Sequence, residues 1–246
     1  MQRKLFFLHV PKCGGTSLDS AISACYGSSP RDRAGRVHLD AVAARRAAGL
    51  ASVREDGFSA SLQLYFMAQR DVRYISGHFQ YSATAHLAFG DEWEFITMLR
   101  DPVSRWLSHY FYNRYKADDH YKIVEDLPAF LSSPRALHLA NAFILQLTEH
   151  DVEDVLAQPR DCATAAIDNL KKFALVGCLE RLDSFVSRFE ARYGVKLDVP
   201  RLQTNPAAPS QQAAQINDTL RERVAEMCRA DMLVYRYALS CCTVVP

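Results

Sequence analysis

One segment near the start of the chain constrains the fold more than any other. Residues 4–10 form a short apolar run rich in aromatic and β-branched side chains, which is typical of a strand buried in a parallel sheet. Two glycines, Gly14 and Gly15, follow in a loop, and then comes a helical pattern whose N-cap would be Thr16 or Ser17. Strand, glycine loop and helix N-terminus in this order direct backbone N–H groups and the helix dipole towards one point. We therefore predict an anion-binding loop at the end of this strand.

The polar residues beside the glycines narrow the kind of anion. Lys12 stands just before them, and the hydroxyls of Thr16 and Ser17 come just after. A glycine turn alone would not require these groups, whereas an anion with several oxygens would use all of them. A P-loop nucleoside triphosphatase or kinase has its lysine after the second glycine, as Gly-Lys-Ser/Thr, and this motif occurs nowhere in the chain. A kinase that uses ATP is therefore the weaker hypothesis.

A second motif begins where another buried strand pattern, residues 94–99, runs straight into Arg100. Pro102 suits the first turn of a helix that continues to about Tyr115. Ser108 then lies about two helical turns deeper than the arginine. A capped helix with an exposed arginine would have the same pattern. However, a guanidinium is the preferred fork for a phosphate, and a serine hydroxyl can add a second donor.

The remaining patterns alternate between strands and helices, which indicates an α/β fold with a parallel sheet flanked by helices. We predict one domain over residues 1–246. The stretch 27–60, rich in Ser, Arg, Gly and Ala, is expected to be a mobile excursion with a helix inside it. Further strands are predicted over 73–76 and 173–178, and helices over 39–50, 182–193 and 219–239, with several helical pieces between 127 and 172.

The two motifs, in this order, resemble those of the sulfotransferases that use 3′-phosphoadenosine 5′-phosphosulfate (PAPS). The first is similar to their P-loop-like 5′-phosphosulfate loop, and the second is similar to their 3′-phosphate element. The form Arg-Asp-Pro-x-x-Arg-x-x-Ser, with Gly-His between the two motifs, is most similar to the carbohydrate group that includes heparan sulfate 2-O-sulfotransferases. The resemblance continues weakly at 177–181, Asn205 and 231–235, so it spans most of the chain.

This resemblance implies a role for each matching residue. Lys12 would contact the 5′-phosphate and the bridging oxygen, and would neutralise charge on the leaving group. Backbone amides of the loop would hold the 5′-phosphate and the sulfuryl oxygens, while Arg100 and Ser108 would bind the 3′-phosphate. PAPS would be the donor and 3′-phosphoadenosine 5′-phosphate (PAP) the product, with no metal. The implied donor-binding residues are Lys12, Cys13, Gly14, Gly15, Thr16, Ser17, Arg100 and Ser108.

The resemblance also implies a catalytic base. His78 matches the histidine proposed as general base in the carbohydrate members, which often carry a second histidine where this chain has Ser76. A neutral imidazole near its ordinary pKa is suited to take the proton of an attacking hydroxyl. His109, next to Ser108, is the alternative base. His9 lies inside the first strand pattern and is expected to be a core residue.

Composition limits the partners and the location. The chain has 29 Lys and Arg against 28 Asp and Glu, so there is no overall basic field for nucleic acid or an anionic membrane. No secretory signal or membrane span is predicted, and seven scattered cysteines favour neither a disulfide framework nor a zinc site. We expect a cytoplasmic enzyme that sulfates a hydroxyl of a carbohydrate or another small hydroxylated acceptor. A non-catalytic nucleotide-binding protein of the same fold is the alternative.

Overall fold

A parallel sheet of five strands, in the order β2-β3-β1-β4-β5, organises the structure. The computed structural model describes residues 3–27, 35–119, 121–200 and 205–243. Each strand of the sheet is parallel to its neighbours, so the predicted α/β class is confirmed. The strands are β1 (Lys4–Leu8), β2 (Arg36–Leu39), β3 (Tyr74–Gly77), β4 (Trp93–Leu99) and β5 (Leu175–Cys178).

The first strand occupies the middle of the sheet because its side chains can be buried on both faces. Leu5, Phe6, Phe7 and Leu8 are at most 1% exposed. Burial of each such side chain stabilises the fold by about 1.5–3 kcal/mol relative to leaving it in water. The centre of the sheet is therefore the rigid support from which the anion-binding loop leaves.

Helices flank the sheet, and most of the predicted ones are present. Pro134 and Pro159 each occupy the first turn of a helix, where a proline lacks no required hydrogen bond. The helices are α1 (Gly15–Ala24), α2 (Ala41–Leu50), α3 (Glu55–Ala68), α4 (Ala83–Phe89), α5 (Pro102–Tyr115), α6 (Leu127–Leu131), α7 (Pro134–Ala140), α8 (Ala142–Leu147), α9 (Val152–Ala157), α10 (Pro159–Leu170), α11 (Leu182–Tyr193), α12 (Pro209–Ala213), α13 (Asp218–Met227) and α14 (Arg229–Thr243).

Two expectations about helix ends were wrong. Helix α1 begins at Gly15, and its N-cap is Gly14 in the left-handed conformation rather than Thr16 or Ser17. The turn out of β1 requires a positive φ, which glycine adopts without strain. The single closing helix predicted over 219–239 is two helices, because Cys228 leaves the helical conformation between α13 and α14.

The stretch 27–60 contains more regular structure than was expected. Residues 28–34 lie outside the described part of the chain. The rest supplies β2, which pairs with β3 as an edge strand, and the helices α2 and α3. The helix expected over 39–50 is present as α2, whereas the strand before it was not predicted. The mobility of the stretch stays a prediction.

Candidate active site

Three neighbouring strands end at the same edge of the sheet, and each is followed by a predicted site residue. In the register, Leu8 at the end of β1 pairs with Gly77 of β3 on one side and Thr97 of β4 on the other. The carboxyl ends of parallel strands form the usual ligand-binding edge of an α/β fold. The glycine loop, His78 and Arg100 leave from these ends.

The backbone of the glycine loop is closely fitted to its surroundings. Lys12 and Gly14 both have left-handed conformations, with φ of 66° and 74°. A Cβ atom on Gly15 would lie 2.0 Å from the ring of His9, so the loop packs directly on that imidazole. Helix α1 supplies no carbonyl partners for its first N–H groups, which makes this end of the helix suited to an anion.

The eight predicted donor-binding residues line one cavity of about 800 Å³, which we call the loop cavity. The structure therefore brings together two motifs that lie far apart in the sequence. Their roles as phosphate ligands stay predictions. The residues concerned are Lys12, Cys13, Gly14, Gly15, Thr16, Ser17, Arg100 and Ser108.

Two cations face the loop cavity and lie close to each other. One guanidinium nitrogen of Arg100, Nη1, donates to the carbonyl of Lys12 at 3.2 Å. The ammonium of Lys12 lies over the ring of Tyr112, 3.5 Å from its centroid. Burial, followed by the charges of Arg100 and Lys116, lowers the pKa of Lys12 to about 8. An anion that enters the cavity would relieve this repulsion and favour the charged lysine.

Cys13 lines the loop cavity, but its thiol is buried and would not react, so only its backbone could contact a ligand. Its side chain is fully buried, and the Sγ atom lies 3.7 Å from the carbonyl of Pro11. Burial raises the pKa of the thiol to about 12, although nearby arginines oppose the shift. The thiolate form, which is the nucleophilic one, is therefore disfavoured at neutral pH.

The opposite wall of the loop cavity is largely apolar, as a nucleobase site would be. The amide nitrogen of Asn205 donates to the backbone carbonyl of Ser108 at 3.3 Å, and this hydrogen bond connects the apolar wall to the wall that carries Ser108. The apolar residues of this wall are Met98, Leu179, Leu182, Val199, Pro200, Ala207 and Pro209.

His78 lines a different cavity of about 620 Å³, which we call the histidine cavity. Its Nδ1 atom lies 2.7 Å from the carbonyl oxygen of His9. A carbonyl can only accept, so Nδ1 carries the proton and Nε2 keeps the basic lone pair. Burial lowers the pKa of His78 below its ordinary value, and the hydrogen bond to His9 opposes the shift. The side chain is exposed at the cavity, and its hydrogen bond to His9 sets the orientation of the ring.

His9 lies between the two cavities. Its ring lines the loop cavity and its centroid is 4.2 Å from that of His78. The side chain is 6% exposed, as expected of a core residue, and burial lowers its pKa to about 2. Because the ring stays neutral and contacts both Gly15 and His78, it links the loop to the predicted base.

His109 also lines the histidine cavity but is a poorer proton acceptor. Burial, with help from Arg105 and Lys12, lowers its pKa to about 3. Its Nδ1 atom is buried without a hydrogen-bond partner. A base this weak gains little from accepting a proton at neutral pH, so His78 stays the predicted base.

Ser76, which stands where the carbohydrate members often have a second histidine, is itself in contact with one. Its hydroxyl lies 3.0 Å from Nδ1 of His38 on the neighbouring strand β2. The same imidazole lies 3.7 Å from a carboxylate oxygen of Asp19. A histidine is therefore present at this edge of the sheet, but it comes from β2, a strand that was not predicted, within the stretch 27–60, which was expected to contact the acceptor.

Sequence reasoning missed the residues that support the site from a distance. Gln146 donates its amide to the carbonyls of His9 and Phe79, both at 3.1 Å, and so fixes the group that orients His78. Glu180 accepts from the backbone N–H of Asp101 at 3.0 Å and from Tyr235 at 2.9 Å, which fixes the turn after Arg100. Glu180 and Tyr235 belong to segments whose likeness to the family was noted, and that likeness was the available signal.

Comparison with known proteins gives a family. The model of the sulfotransferase family matches residues 1–238. Among solved structures, a mouse sulfotransferase complexed with PAP is similar over 98% of this chain and 90% of that chain, at 13% identity and a TM-score of 0.47. No curated protein matches this chain.

The last two features of the structure are its helix lengths and the grouping of its metal-ligating side chains. Across the described ranges, no helix is both long and apolar enough to cross a membrane. Among the same residues there is no group of three or more His, Cys, Asp or Glu side chains placed to hold a metal ion.

Proposed function

The chain belongs to the sulfotransferase family, and from this premise we propose that it transfers a sulfuryl group from PAPS to a hydroxyl of a carbohydrate or another small hydroxylated molecule. As a member of this family it is a PAPS-dependent enzyme whose second product is PAP. The acceptor is the part that we propose. It is supported by the likeness of the Arg100–Ser108 motif to the carbohydrate group and by the histidine and glutamine side chains that line the cavity beside His78.

One observation carries the proposal. The glycine loop, Lys12, Arg100 and Ser108 line a single cavity, and His78 lies beyond His9 on the next strand end. An anionic donor and a hydroxylated acceptor would thus meet at the edge where β1, β3 and β4 end.

In the proposed reaction, the acceptor hydroxyl attacks the sulfur of PAPS. A new oxygen–sulfur bond forms while the bond between sulfur and the bridging oxygen of the 5′-phosphate breaks. The Nε2 atom of His78 accepts the hydroxyl proton, and Lys12 stabilises the charge that develops on the departing phosphate. Arg100 and Ser108 hold the 3′-phosphate, which remains on PAP. Positioning and charge neutralisation provide most of the rate enhancement, as in phosphoryl transfer.

A non-catalytic nucleotide-binding protein would have no use for His78 and its fixed tautomer. An ATP-dependent kinase would have no use for Arg100 and Ser108 at the second phosphate position. We also propose a cytoplasmic location, which the seven free cysteines support, since reduced thiols are usual in that compartment.

The test is an acceptor screen with PAPS labelled in the sulfuryl group. Neutral glycans, acidic glycans, lipids and phenols are incubated with the purified chain, and labelled product is separated from PAPS. We expect label on at least one hydroxylated carbohydrate or small molecule, and none with the Lys12→Ala chain. Transfer of phosphate from ATP, or the absence of label on any acceptor, would contradict the proposal.

A further inference from the structure

The charged groups of the histidine cavity give information about the acceptor. Two carboxylates, Asp151 and Glu153, lie on its rim at the start of α9. Asp151 uses one oxygen to accept from the backbone N–H of Asp154 at 2.9 Å, and both acidic rim residues are exposed. A negatively charged ligand would therefore approach two like charges on this side.

The histidines of the cavity do not offset these carboxylates. Burial lowers the pKa values of His78, His109 and His138 below the ordinary value, so their rings are neutral at physiological pH. The fourth, His150, has its Nδ1 atom 3.6 Å from a carboxylate oxygen of Asp154. His150 therefore pairs with Asp154, a carboxylate outside the cavity lining.

Among the described residues that line the cavity there is one arginine, and its side chain is buried beneath the cavity surface. Arg105 is 0% exposed and donates Nη2 to the backbone carbonyl of Leu139. Its guanidinium lies 5.4 Å from the ring of Phe143. Burial raises the pKa of Asp231 to about 7, and the charge of Arg105 opposes that shift. A ligand carboxylate or sulfate could not pair with Arg105 without rearrangement of this packing.

The lining of the depression that continues from His78 towards α2 and α3 carries no net charge. It contains one arginine, Arg54, and one glutamate, Glu55. Arg45, which lies outside the lining, pairs with Glu55 at 2.7 Å. The loop cavity, in contrast, has Lys12 and Arg100 on its wall. Among the described residues, the loop cavity is thus the one of these three sites whose lining has two cations and no carboxylate.

On this distribution of charge we propose that the acceptor is an uncharged sugar or polyol, and that anionic saccharides are disfavoured. This inference rests on the proposed function. The Nε2 atom of His78, whose Nδ1–H is used on the carbonyl of His9, is left to accept from a hydroxyl group. The amides of Gln80 and Gln146 use their nitrogens for backbone carbonyls, so their oxygens are left to accept from hydroxyls. Leu139, Leu145 and Val152 provide apolar surface for the faces of a ring.

The experiment compares two isosteric acceptors. Several disaccharides are prepared as carbamoylmethyl and carboxymethyl glycosides, which keep every sugar hydroxyl and differ in one charge. Initial rates at saturating labelled PAPS give kcat/KM for each. We expect the amide to be preferred roughly twofold to fivefold at low salt, and we expect the preference to shrink as salt screens the repulsion.

Charge variants test whether Asp151 and Glu153 are the cause. Glu153→Lys should shift the preference towards the carboxylate by roughly twofold to tenfold, and Asp151→Asn, which keeps the helix cap, by less. Glu222→Lys is the matched control, since it makes the same charge change at an exposed position on α13 outside the cavity lining and should leave the ratio unchanged.

The possible outcomes distinguish a wrong charge preference from a wrong proposed function. Faster sulfation of carboxymethyl glycosides by the wild-type chain would overturn the proposed charge preference while the proposed function stood. An equal effect of Glu153→Lys and Glu222→Lys would also overturn it. If neither glycoside series nor any other acceptor becomes labelled, the proposed function fails, and this inference fails with it.

Discussion

Lys12 combines two properties that are costly on their own, a left-handed backbone and a partly buried ammonium group beside Arg100. A non-glycine residue in the left-handed region costs about 1–2 kcal/mol. The backbone strain and the close pair of cations are both explained if an anion occupies the loop cavity during the reaction. Lys12 is thus better matched to the donor complex than to the empty protein.

We predict that Lys12→Ala lowers kcat far more than it weakens PAP binding. The lysine acts mainly on charge that develops at the leaving phosphate, so its loss should be felt in the transition state. Rate measurements at saturating PAPS, with PAP affinity from calorimetry, would distinguish the two effects. A variant with near-normal kcat and only weaker binding would show that Lys12 merely holds the donor.

The lowered pKa of Lys12 provides a control for this prediction. In the free protein the lysine is charged below pH 8 and becomes neutral as the pH rises above it. A bound phosphate favours the charged form, so PAP affinity should fall as the pH rises through about 8. In Lys12→Met, which keeps an unbranched apolar stem, this part of the pH dependence should be absent.

His78 is the proposed acceptor of the proton from the attacking hydroxyl. We predict that His78→Ala leaves PAP binding intact and lowers kcat by about 10²-fold or more. Since only the neutral imidazole can accept the proton and its pKa lies below the ordinary 6.5, wild-type kcat/KM should fall as the pH drops through that lower value. An active variant that keeps this pH profile would assign the role elsewhere. His109, whose pKa burial lowers to about 3, would produce such a fall only near that pH.

At the scale of elements, the turn from β1 into α1 depends on close contact between Gly15 and His9. We predict that Gly15→Ala destabilises the protein by roughly 1–3 kcal/mol and weakens PAP binding, because the added methyl must displace the His9 ring. Gly49→Ala in α2 is the control, since its Cβ would meet nothing within 4 Å. That substitution should stabilise α2 slightly. Chemical denaturation of both variants is the measurement, and equal stability of the two would contradict the prediction.

The glycine loop, β1 and α1 could be predicted from the sequence because the patterns that indicate them are local. An apolar run, two glycines and a helical pattern within 25 residues predict a strand, a turn and a helix without knowledge of the rest of the chain. The break at Cys228 was not readable, because the helical periodicity continues across it and no proline or glycine marks it. Gln146 could not be assigned either, since it acts on the carbonyl of His9, which is 137 residues away in the sequence.

At the scale of the whole molecule, a buried acid joins helix α14 to helix α8, two helices that lie far apart in the sequence. Both carboxylate oxygens of Asp231 in α14 accept from the first amides of α8, at 2.8 and 3.1 Å from Phe143 and Ile144. The carboxylate therefore caps α8 from another helix, and the buried guanidinium of Arg105 lies within its field. Helix α8 in turn carries Gln146, so this cap supports the predicted base.

We predict that Asp231→Ala destabilises the fold by about 3–5 kcal/mol, because it leaves two buried amides without their acceptor and the buried Arg105 without a nearby opposite charge. Asp231→Asn keeps the shape and one acceptor oxygen and should cost clearly less. Thermal and denaturant unfolding of the two variants give the comparison. Similar losses for alanine and asparagine would indicate that packing, rather than the helix cap, is what Asp231 provides.

We propose that the loop cavity binds a nucleotide with a 3′-phosphate, which calorimetric titration with PAP and with AMP can measure. The two ligands differ by that one phosphate, for which Arg100 and Ser108 would provide a charge-assisted pair of donors. At about 1.5–3 kcal/mol for each such hydrogen bond, PAP should bind at least roughly tenfold to a hundredfold more tightly than AMP. Arg100→Ala should remove most of that difference while leaving AMP binding nearly unchanged. Equal affinities of the wild-type chain for PAP and AMP would contradict the assignment of this cavity to PAPS.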